Sequence, residues 1–497
     1  MEEFRVTFLR ENRTVQVQSG TTVLEAERLA GLTPDAPCGG QGTCGKCRVT
    51  LVTEKGREEG KACQTRIDRD LLVDTGKVSR GHAILSQGLS REISLDPVVK
   101  AGWIRFRKLK IGEPDSQWQR ILEALEAAFG GLPENLKPDL ALSSRLYAML
   151  RQSDSWYAVL GQQGILSMTR EEVPVYTAAV DIGTTTVVGY LLDPVTGKNL
   201  ATASRINPQS QYGADVIMRA NYASENGTQV LSSCIRSCLG EIFGELAGKA
   251  GIHPEDIYSV CCVGNTCMHH LLLGLCPDSL SHAPYNPVVR SQLTMKAADC
   301  DLSIAPAGEL ILLPNIAGFV GADTMGCLLC TRPDLDREIS LMIDIGTNGE
   351  MVLGSEKGLV TCSTAAGPAF EGAKIECGMR GAAGAVDHVT LEQGRFRYTT
   401  VGGAPAVGIC GSGLIDLVAC MLQAGLIDES GYLDLEDGSS RFILVPGAES
   451  GSGRDIYLSQ KDIREVQLAK AAIAAGVTLL RKQLDIREEE IAKVYIA

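Results

Sequence analysis

The chain has 497 residues, of which 44% are hydrophobic and 22% charged, so it can bury several cores and is expected to divide into two to four domains. Its formal net charge of −13 argues against nucleic acid and anionic membrane surfaces as partners. No apolar run is long enough to span a bilayer, and the first residues, MEEFRVTFLRENRTVQV, are too charged for a signal peptide. We therefore expect a cytoplasmic protein whose seventeen cysteines are metal ligands and reduced core thiols, as suits a reducing, anaerobic host.

The first eighty residues predict a small β-rich domain. Apolar and polar residues alternate in FRVTFL (4–9) and RTVQVQ (13–18), and this pattern predicts a β-hairpin. A Thr cap and helical spacing predict a helix over 21–31 that ends at Gly31. A further strand is predicted at CRVTLV (47–52). Hairpin, helix, cysteine-containing loop and strand follow one another in the order found in a β-grasp ferredoxin.

Four cysteines accompany these elements. They are Cys38, Cys44, Cys47 and Cys63, spaced C-x5-C-x2-C and then fifteen residues to the last. The spacing resembles the ligation of a plant- or adrenodoxin-type [2Fe–2S] cluster, and the glycines between them let backbone N–H groups point at the sulfides. The alternatives are a zinc site or a loop of free thiols. Zinc knuckles favour paired CxxC motifs, and only Cys44 and Cys47 form such a pair here.

The region after the cysteines shows less pattern. We expect a ferredoxin-like domain over 1–80, a polar linker over 81–100 and a small α/β middle domain over 101–172. Residues 98–111 are locally basic, which favours a solvated connector. Amphipathic spacing predicts two helices in the middle domain, within 118–133 and 143–152. No catalytic constellation is visible in this region.

The sequence Asp-Ile-Gly-Thr occurs twice, at Asp181 and at Asp344, 163 residues apart. Each copy follows an apolar run, and a short polar turn and a second apolar run come after it, which predicts strand–turn–strand. A repeat at this distance indicates two similar α/β halves that face each other within a domain over 173–497. The alternative is a pair of unrelated hairpins, since Asp-Gly turns are common.

A tight turn of Gly and Thr can present N–H and hydroxyl donors to phosphate oxygens, and a carboxylate at the strand end can bind Mg²⁺ through water. The pattern resembles the acetate kinase, sugar kinase, heat-shock chaperone and actin superfamily. Residues 181–186 resemble its first phosphate motif, residues 344–350 its second, and residues 313–329 its first connecting helix. The resemblance implies a duplicated ribonuclease-H-like (actin-like) ATPase domain.

That resemblance also assigns candidate residues. The catalytic candidates are Asp181 and Asp344, with Asp323 expected to orient the attacking water. The candidates for nucleotide binding are Gly183, Thr184, Thr185, Thr186, Gly346, Thr347, Asn348 and Gly349, together with Gly411 and Gly413 of another Gly-rich turn. The last residues, IAKVYIA (491–497), resemble the strand that precedes a Gly-rich adenosine-binding segment, so we expect this domain to be truncated at its C-terminus.

The combination with a [2Fe–2S] domain is similar to the ATP-dependent reductive activators of corrinoid proteins. The segments 263–274, 363–387 and 408–428 carry this resemblance, which extends over essentially the whole chain and is weakest in the linker and middle region. It implies transfer of one electron from the cluster to cobalt(II), driven by ATP and Mg²⁺, which restores cobalt(I). It also implies a corrinoid methyl-carrier protein and a low-potential electron donor as partners, a role in a methyltransferase system, and a homodimer.

Three other functions remain open. The chain could activate another low-potential enzyme such as a radical dehydratase, although such activators resemble proteins with a [4Fe–4S] cluster and no ferredoxin domain. It could be a small-molecule kinase fused to a redox sensor, or an electron carrier with a degenerate nucleotide domain. A metal site at His269 and His270 is conceivable, but their apolar helix favours a packing role.

Overall fold

The computed structural model describes residues 3–32, 34, 36, 40, 42, 47–53, 56–75, 93–108, 110–134, 136–213, 215–372, 374–435 and 438–497. Their contacts divide the chain into two units. The described parts of Met1–Leu89, Ser210–Arg219 and Cys327–Ala497 form one unit, and those of Ser90–Gln209 and Ala220–Gly326 form the other. Within the described ranges, no helix combines the length and the apolar character needed to cross a bilayer.

The N-terminal elements form a five-stranded sheet in the order β2-β1-β5-β3-β4. The predicted hairpin is confirmed, since Phe4 pairs with Val17 across two antiparallel strands. The predicted helix is also confirmed, and the Thr22 side chain accepts a hydrogen bond from the Glu25 N–H as its cap. The elements are β1 (Glu3–Phe8), β2 (Arg13–Gln18), α1 (Val23–Leu29), β3 (Arg48–Thr53), β4 (Gly56–Lys61) and β5 (Leu71–Asp74).

A three-stranded antiparallel sheet, ordered β6-β7-β8, and two helices follow. The expected connector over 98–111 is wrong in part, because β6 lies there: Ile104 is buried in the core and Arg105 faces outward. The two helices confirm the predicted pair. The elements are β6 (Lys100–Arg105), α2 (Gln117–Phe129), α3 (Leu140–Gln152), β7 (Ser155–Leu160) and β8 (Ile165–Thr169). The predicted domain boundaries stay predictions, and residues 81–92 of the predicted linker lie outside the described residues.

The next sheet has six strands in the order β11-β10-β9-β12-β14-β13. Its first three strands form an antiparallel meander, and β12 adds to β9 in parallel. The elements are β9 (Tyr176–Ile182), β10 (Thr186–Leu192), β11 (Asn199–Ile206), α4 (Val216–Asn226), α5 (Gln229–Ala250), β12 (Ile257–Gly264), α6 (Thr266–Leu273), β13 (Leu293–Lys296), β14 (Glu309–Leu312) and α7 (Ala322–Thr331). Helix α5 packs on β10 and β11.

A further sheet repeats this plan with four strands in the order β17-β16-β15-β23. Again three strands form an antiparallel meander, and β23 adds to β15 in parallel. The elements of this region are β15 (Ile339–Ile345), β16 (Gly349–Ser355), β17 (Gly358–Thr364), β18 (Ala385–Glu392), β19 (Arg395–Thr400), β20 (Gly408–Ile409), α8 (Gly411–Gln423), β21 (Arg441–Val445), β22 (Ile456–Ser459), α9 (Gln460–Leu484) and β23 (Ile491–Ile496). Among them, β19-β18-β20 and β21-β22 form two separate small sheets.

The internal repeat predicted from the sequence is therefore confirmed. Each Asp-Ile-Gly-Thr segment forms the end of the first strand of a meander and the start of the turn that follows, and this first strand also has a parallel neighbour. One long helix packs on each meander, α5 on the first and α9 on the second. This duplicated arrangement confirms the predicted multidomain α/β fold with an actin-like ATPase domain.

Candidate functional site

The described half of the cysteine set forms a close pair of thiols. The hairpin of β3 and β4 pairs Arg48 with Lys61, and just beyond this pair the Ala62 N–H donates to the Cys47 carbonyl. Cys63, the next residue, therefore lies beside Cys47. Their Sγ atoms lie 3.3 Å apart, and Cys47 is buried. Cys38 and Cys44 lie outside the described residues. Two thiols at this separation fit the binding of one iron, and they would equally fit zinc, so the pair alone does not choose between the two metals.

Glycines shape the loop beside this pair. Gly40 and Gly42 both have positive φ angles, of 99° and 77°, which residues with a Cβ rarely adopt. A Cβ at Gly42 would also lie 2.5 Å from the Gln64 side chain, next to Cys63. The positive φ angles at Gly40 and Gly42 therefore favour glycine at both positions beside the thiols.

The first Asp-Ile-Gly-Thr turn, residues 181–184, is held by two asparagines. Asn207 donates its side-chain N–H to the Gly183 carbonyl at 2.8 Å. Asn265 donates its side-chain N–H to Thr184 Oγ1 at 3.0 Å, while its Oδ1 accepts from the Met268 N–H at the start of α6. The residues Thr185 and Thr186 continue the turn into β10, where Val187 pairs with Ile182. Both asparagines escaped the sequence analysis.

Asp323 belongs to the same unit and lies in the first turn of α7, as the resemblance implied. One of its carboxylate oxygens accepts a hydrogen bond from the Thr324 N–H at 2.7 Å. Two residues earlier, a Cβ at Gly321 would lie only 2.4 Å from the Cα of Asn265. The start of α7 is thus brought against the residue that holds Thr184, and the role of Asp323 stays a prediction.

The second turn, residues 344–347, is held by a segment 24 residues further along the chain. Thr347 donates its hydroxyl proton to the Glu371 carboxylate, and the Gly367 N–H donates to the Thr347 carbonyl at 2.9 Å. Within the turn the Gly346 N–H donates to the Asn348 carbonyl, and Gly349 begins β16. Glu371 is a residue that sequence reasoning missed.

Carboxylates are concentrated at this second turn. Asp344 lies directly opposite Glu350 in the β15–β16 register, and Glu350 is buried and accepts from the Ser363 hydroxyl at 3.3 Å. Burial raises the pKa of the Asp344 carboxyl above its ordinary value. With the Thr347 hydroxyl and the Glu371 carboxylate, the turn offers the hard oxygen ligands that Mg²⁺ prefers. Within the described residues, these carboxylates do not form a ready-made cluster of three metal-ligating side chains. The backbone N–H groups and hydroxyls of both turns are donors of the kind that phosphate oxygens accept.

Gly411 and Gly413 begin α8 and lie against other backbone segments. A Cβ at Gly411 would lie 2.1 Å from the Phe370 carbonyl oxygen, and one at Gly413 would lie 2.2 Å from the Val386 carbonyl oxygen. The start of α8 is thereby placed next to the residue that precedes Glu371. Close packing accounts for both glycines, and their contact with a nucleotide stays a prediction.

His269 and His270 are both buried in α6. His270 is held by two backbone groups: its Nδ1–H donates to the Thr266 carbonyl, and its Nε2 accepts from the Val288 N–H. The ring nitrogens of His269 have no hydrogen-bond partner within the described part of the chain. Burial lowers the pKa of His269 to about 4, which keeps it neutral. This arrangement matches the packing role that the sequence favoured.

Comparison with known proteins places these features in a family. The model of the 2Fe-2S iron-sulfur cluster binding domain matches residues 6–68. The model of the RACo middle region matches residues 176–336, and that of the C-terminal domain of RACo, the ASKHA domain, matches residues 338–497. The N-terminal domain is therefore of the cluster-binding type, and the C-terminal domain is of the nucleotide-binding ASKHA type.

The chain is 34% identical to the corrinoid activation enzyme RamQ of Eubacterium limosum over 500 residues, covering 96% of this chain and 83% of RamQ. It is 28% identical to the [Co(II) methylated amine-specific corrinoid protein] reductase of Methanosarcina barkeri over 339 residues, covering 61% of this chain and 59% of that protein. The solved structure of a reductive activator for corrinoid, iron-sulfur protein superposes with a TM-score of 0.74 at 34% identity, covering 99% of this chain and 86% of that one. Together these likenesses show that the chain belongs to the family of reductive activators of corrinoid proteins and that it is an enzyme.

Proposed function

We propose that this enzyme performs the ATP-dependent reductive activation of a corrinoid protein, in which one electron passes from a [2Fe–2S] cluster to cobalt(II) and restores cobalt(I). The observation that carries the proposal is the presence in one chain of the Cys47–Cys63 thiol pair and of two oxygen-rich Asp-Ile-Gly-Thr turns. The names of RamQ and of the Methanosarcina barkeri reductase, which refer to corrinoid activation and to Co(II), support the same substrate.

For the redox half, we assign Cys38, Cys44, Cys47 and Cys63 as the cluster ligands. The match to a 2Fe-2S domain over residues 6–68 supports iron over zinc, since that range includes all four cysteines. The burial of Cys47 supports a site shielded from water, which is one of the factors that set the potential of such clusters.

For the nucleotide half, the turns at 181–186 and 344–349 bind the phosphates of ATP through their N–H groups and hydroxyls. Asp181 and Asp344 take part in holding Mg²⁺ through water, and Asp323 orients the attacking water. Gly411 and Gly413, at the start of α8, contribute to the nucleotide pocket. The oxygen-rich donor set at each turn supports these roles.

The need for ATP follows from the reduction potentials of the cluster and of the cobalt centre. Plant-type clusters lie near about −400 mV, and cobalt(I) is a stronger reductant still. For every roughly 100 mV by which the cluster potential lies above that of the cobalt(II)/cobalt(I) couple, the transfer of one electron costs about 2.3 kcal/mol. Nucleotide binding can supply free energy of this size by favouring one conformation of the enzyme over another. The chain thus supplies the electron and the free energy that its transfer to cobalt(II) needs.

The partners follow from this reaction. The substrate is a corrinoid methyl-carrier protein in its inactive cobalt(II) state, and a low-potential electron donor must re-reduce the enzyme after each transfer. We further propose a homodimer, which sedimentation of the purified chain tests directly: a single species of monomer mass would overturn that assignment.

The function itself is tested by anaerobic absorbance spectroscopy of a cobalt(II) corrinoid protein mixed with the reduced chain. We expect the cobalt(I) band to appear with Mg-ATP and to stay absent without it. The cobalt(I) band appearing equally without ATP would reduce the chain to a simple electron carrier. No band in the presence of a reducible cluster, across several corrinoid proteins, would overturn the proposed substrate.

A further inference from the structure

A long loop joins α6 to β13. Residues 274–292, all of which are described, contain the 3-10 turn Asp278–Leu280 and otherwise no helix or strand. Most connections in compact domains have about 4–6 residues, and longer irregular connections usually carry a function. The part that follows the 3-10 turn, residues 281–290, is the anchored loop.

Buried residues hold the backbone of the anchored loop. His270 is fully buried, and its Nε2 accepts a hydrogen bond from the Val288 N–H at 2.8 Å. Asn315 is also buried, and its backbone N–H donates to the Arg290 carbonyl at 2.9 Å. A Cβ at Gly318 would lie 2.0 Å from the Tyr285 carbonyl oxygen, so a second segment packs tightly on the loop. The loop is thus fixed at three points by residues of its own unit.

The side chains of this fixed backbone are exposed. Tyr285 is 44% exposed and Val288 56%, and Arg290 is exposed as well. The Tyr285 ring packs against that of Phe319, with 5.4 Å between the ring centroids. Among the described residues, the Arg290 side chain has no hydrogen-bond or ion-pair partner. Tyrosine and arginine are the residue types that, with tryptophan, contribute most to binding energy at protein interfaces.

The backbone of Tyr285 is strained. Its φ angle is 62°, in the left-handed region that an aromatic residue rarely adopts. Such a conformation persists where the surrounding structure imposes it, and it is concentrated at functional positions. The three contacts of the anchored loop impose it here, and they fix the exposed ring before any partner arrives. A surface ordered in advance loses less conformational entropy on binding.

The anchored loop is connected to the first Asp-Ile-Gly-Thr turn within the same unit. Phe319, the partner of Tyr285, lies two residues before Gly321, where a Cβ would lie 2.4 Å from the Asn265 Cα. Asn265 in turn donates to Thr184. In the proposed reaction, nucleotide binding favours one docking state of the corrinoid protein, so a surface joined to this turn suits that partner. The electron donor, by contrast, reacts with the cluster, whose cysteines belong to the other unit.

We propose that the anchored loop and Phe319 form the docking surface for the corrinoid protein, which presents an apolar side chain to Tyr285 and Phe319 and a carboxylate to Arg290. A guanidinium and a carboxylate that meet across an interface steer the encounter and fix its orientation. The inference rests on the proposed function and deepens it, because it locates the surface that binds the protein substrate. These residues bind the partner and take no part in the transfer of the electron.

Two variants remove the two parts of this surface. Tyr285→Asn removes the ring, and asparagine tolerates the positive φ angle. Arg290→Glu reverses the charge and keeps the anchor to Asn315, which uses the backbone carbonyl of residue 290. Tyr285→Phe is the matched control for the ring. Arg170→Glu is the matched control for the charge, since Arg170 is an exposed arginine of the same unit that follows β8.

The measurement is the rate of cobalt(I) formation with Mg-ATP, over a series of concentrations of a cobalt(II) corrinoid protein that the unmodified chain reduces. We expect Tyr285→Asn and Arg290→Glu each to raise KM for this protein by about tenfold or more and to leave kcat within roughly twofold. Both controls should keep KM and kcat within roughly twofold of the unmodified chain. Added salt should raise KM less for Arg290→Glu than for the unmodified chain, because the screened ion pair is already absent.

An unchanged KM in both variants, or a fall in kcat at unchanged KM, would overturn the docking surface and leave the proposed function in place. A change in the mass of the variants on sedimentation would show a contact between two copies of the chain, which also overturns the inference. If the unmodified chain reduces no corrinoid protein, the proposed function fails and this inference fails with it. The cluster absorbance, ATP affinity and melting temperature of every variant separate these outcomes from unfolding.

Discussion

The Sγ atoms of Cys47 and Cys63 lie 3.3 Å apart although sixteen positions separate the two residues in the chain. The β3–β4 hairpin accounts for this, because Arg48 and Lys61 form its last pair and Cys47 and Cys63 lie just beyond that pair, at the open end. The Ala62 N–H also donates to the Cys47 carbonyl at 2.7 Å, which locks the two strands at this point. The register of the β3–β4 hairpin thus places the two thiols next to each other.

We predict that Cys47→Ser and Cys63→Ser each abolish the visible absorbance and the iron content of the anaerobically purified chain. A hydroxyl is a poor substitute for a thiolate ligand of iron. Cys276→Ser is the matched control, since Cys276 is an exposed thiol in the other unit and should keep the full spectrum. Full iron content in either of the first two variants would remove that cysteine from the ligand set.

Asp344→Asn should abolish ATP-dependent cobalt reduction, leave the cluster spectrum intact and make the protein more stable at neutral pH. Because burial raises the pKa of Asp344, the folded chain binds this proton more tightly than the unfolded chain. The carboxyl therefore contributes stability below its ordinary pKa, and that contribution is lost as the pH rises through the folded value. The amide removes the cost of the ionised form, so the melting temperature should rise at pH 7 and change little at pH 4.

Asp428→Asn serves as the control, because its expected effect on stability at pH 7 has the opposite sign. The hydrogen bond from the Ser430 hydroxyl, together with that from the Tyr432 N–H, lowers the pKa of Asp428, so its ionised form is favoured in the folded chain. That variant should lose stability at pH 7. A fall of the melting temperature in Asp344→Asn at pH 7 would contradict the assignment of a destabilising buried carboxyl.

His269 should make the protein sensitive to acid. Its pKa is lowered from 6.5 to about 4 by burial, so the unfolded chain takes up this proton first as the pH falls. Each pKa unit corresponds to about 1.4 kcal/mol, so the stability lost between pH 6.5 and pH 4 is roughly 3 kcal/mol from this residue. Thermal unfolding at pH 7 and pH 4.5 should show a smaller difference for His269→Leu than for the unmodified chain, and an equal difference would contradict this role.

Glu309 should be a structural anchor for the turn between β7 and β8. It is 2% exposed, and its two carboxylate oxygens accept from the backbone N–H groups of Gln162 and Gln163 at 2.9 and 2.7 Å. Glu309→Ala leaves both donors unpaired and should cost about 2–4 kcal/mol. Limited proteolysis should then cleave within residues 161–164, which the unmodified chain should resist.

Two further variants, one milder than Glu309→Ala and one similar to it, test this role of Glu309. Glu309→Gln keeps one acceptor and should lose about half as much stability. Gly161→Ala should resemble Glu309→Ala, because the added Cβ would lie 2.6 Å from a carboxylate oxygen of Glu309. Resistance to proteolysis in Gly161→Ala would show that the turn tolerates displacement of the carboxylate.

Local pattern sufficed to predict much of this architecture. The strands around Asp181 and Asp344, the hairpin at the N-terminus and α1 follow from alternation, capping and repetition within a few residues. Strand β6 was missed because its outward face carries Arg105, and basic residues between polar stretches resemble a linker. Exposure nevertheless alternates along β6, since Lys100 and Gly102 are half-buried and Ile104 is buried, and this alternation identifies a strand.

The partners of the two threonines were beyond local pattern. Asn265 precedes a helical run, so its cap could be predicted, but its bond to Thr184 spans 81 positions. Glu371 sits in a segment of glycines and small residues with no periodicity, 24 positions from Thr347. Such contacts depend on how the meander folds back on later loops, which a single sequence does not encode locally.

Asn265 divides one amide group between a turn and a helix. Its Nδ2 serves Thr184, and its Oδ1 closes the first turn of α6. We expect a ligand that binds Thr184 to alter the hydrogen bond between Asn265 and the first turn of α6. The exchange of the amide hydrogens of Thr266–Leu273 with deuterium should then change. The rate of amide hydrogen exchange at the start of α6 therefore measures ligand binding at the first turn, and no label in the site is needed.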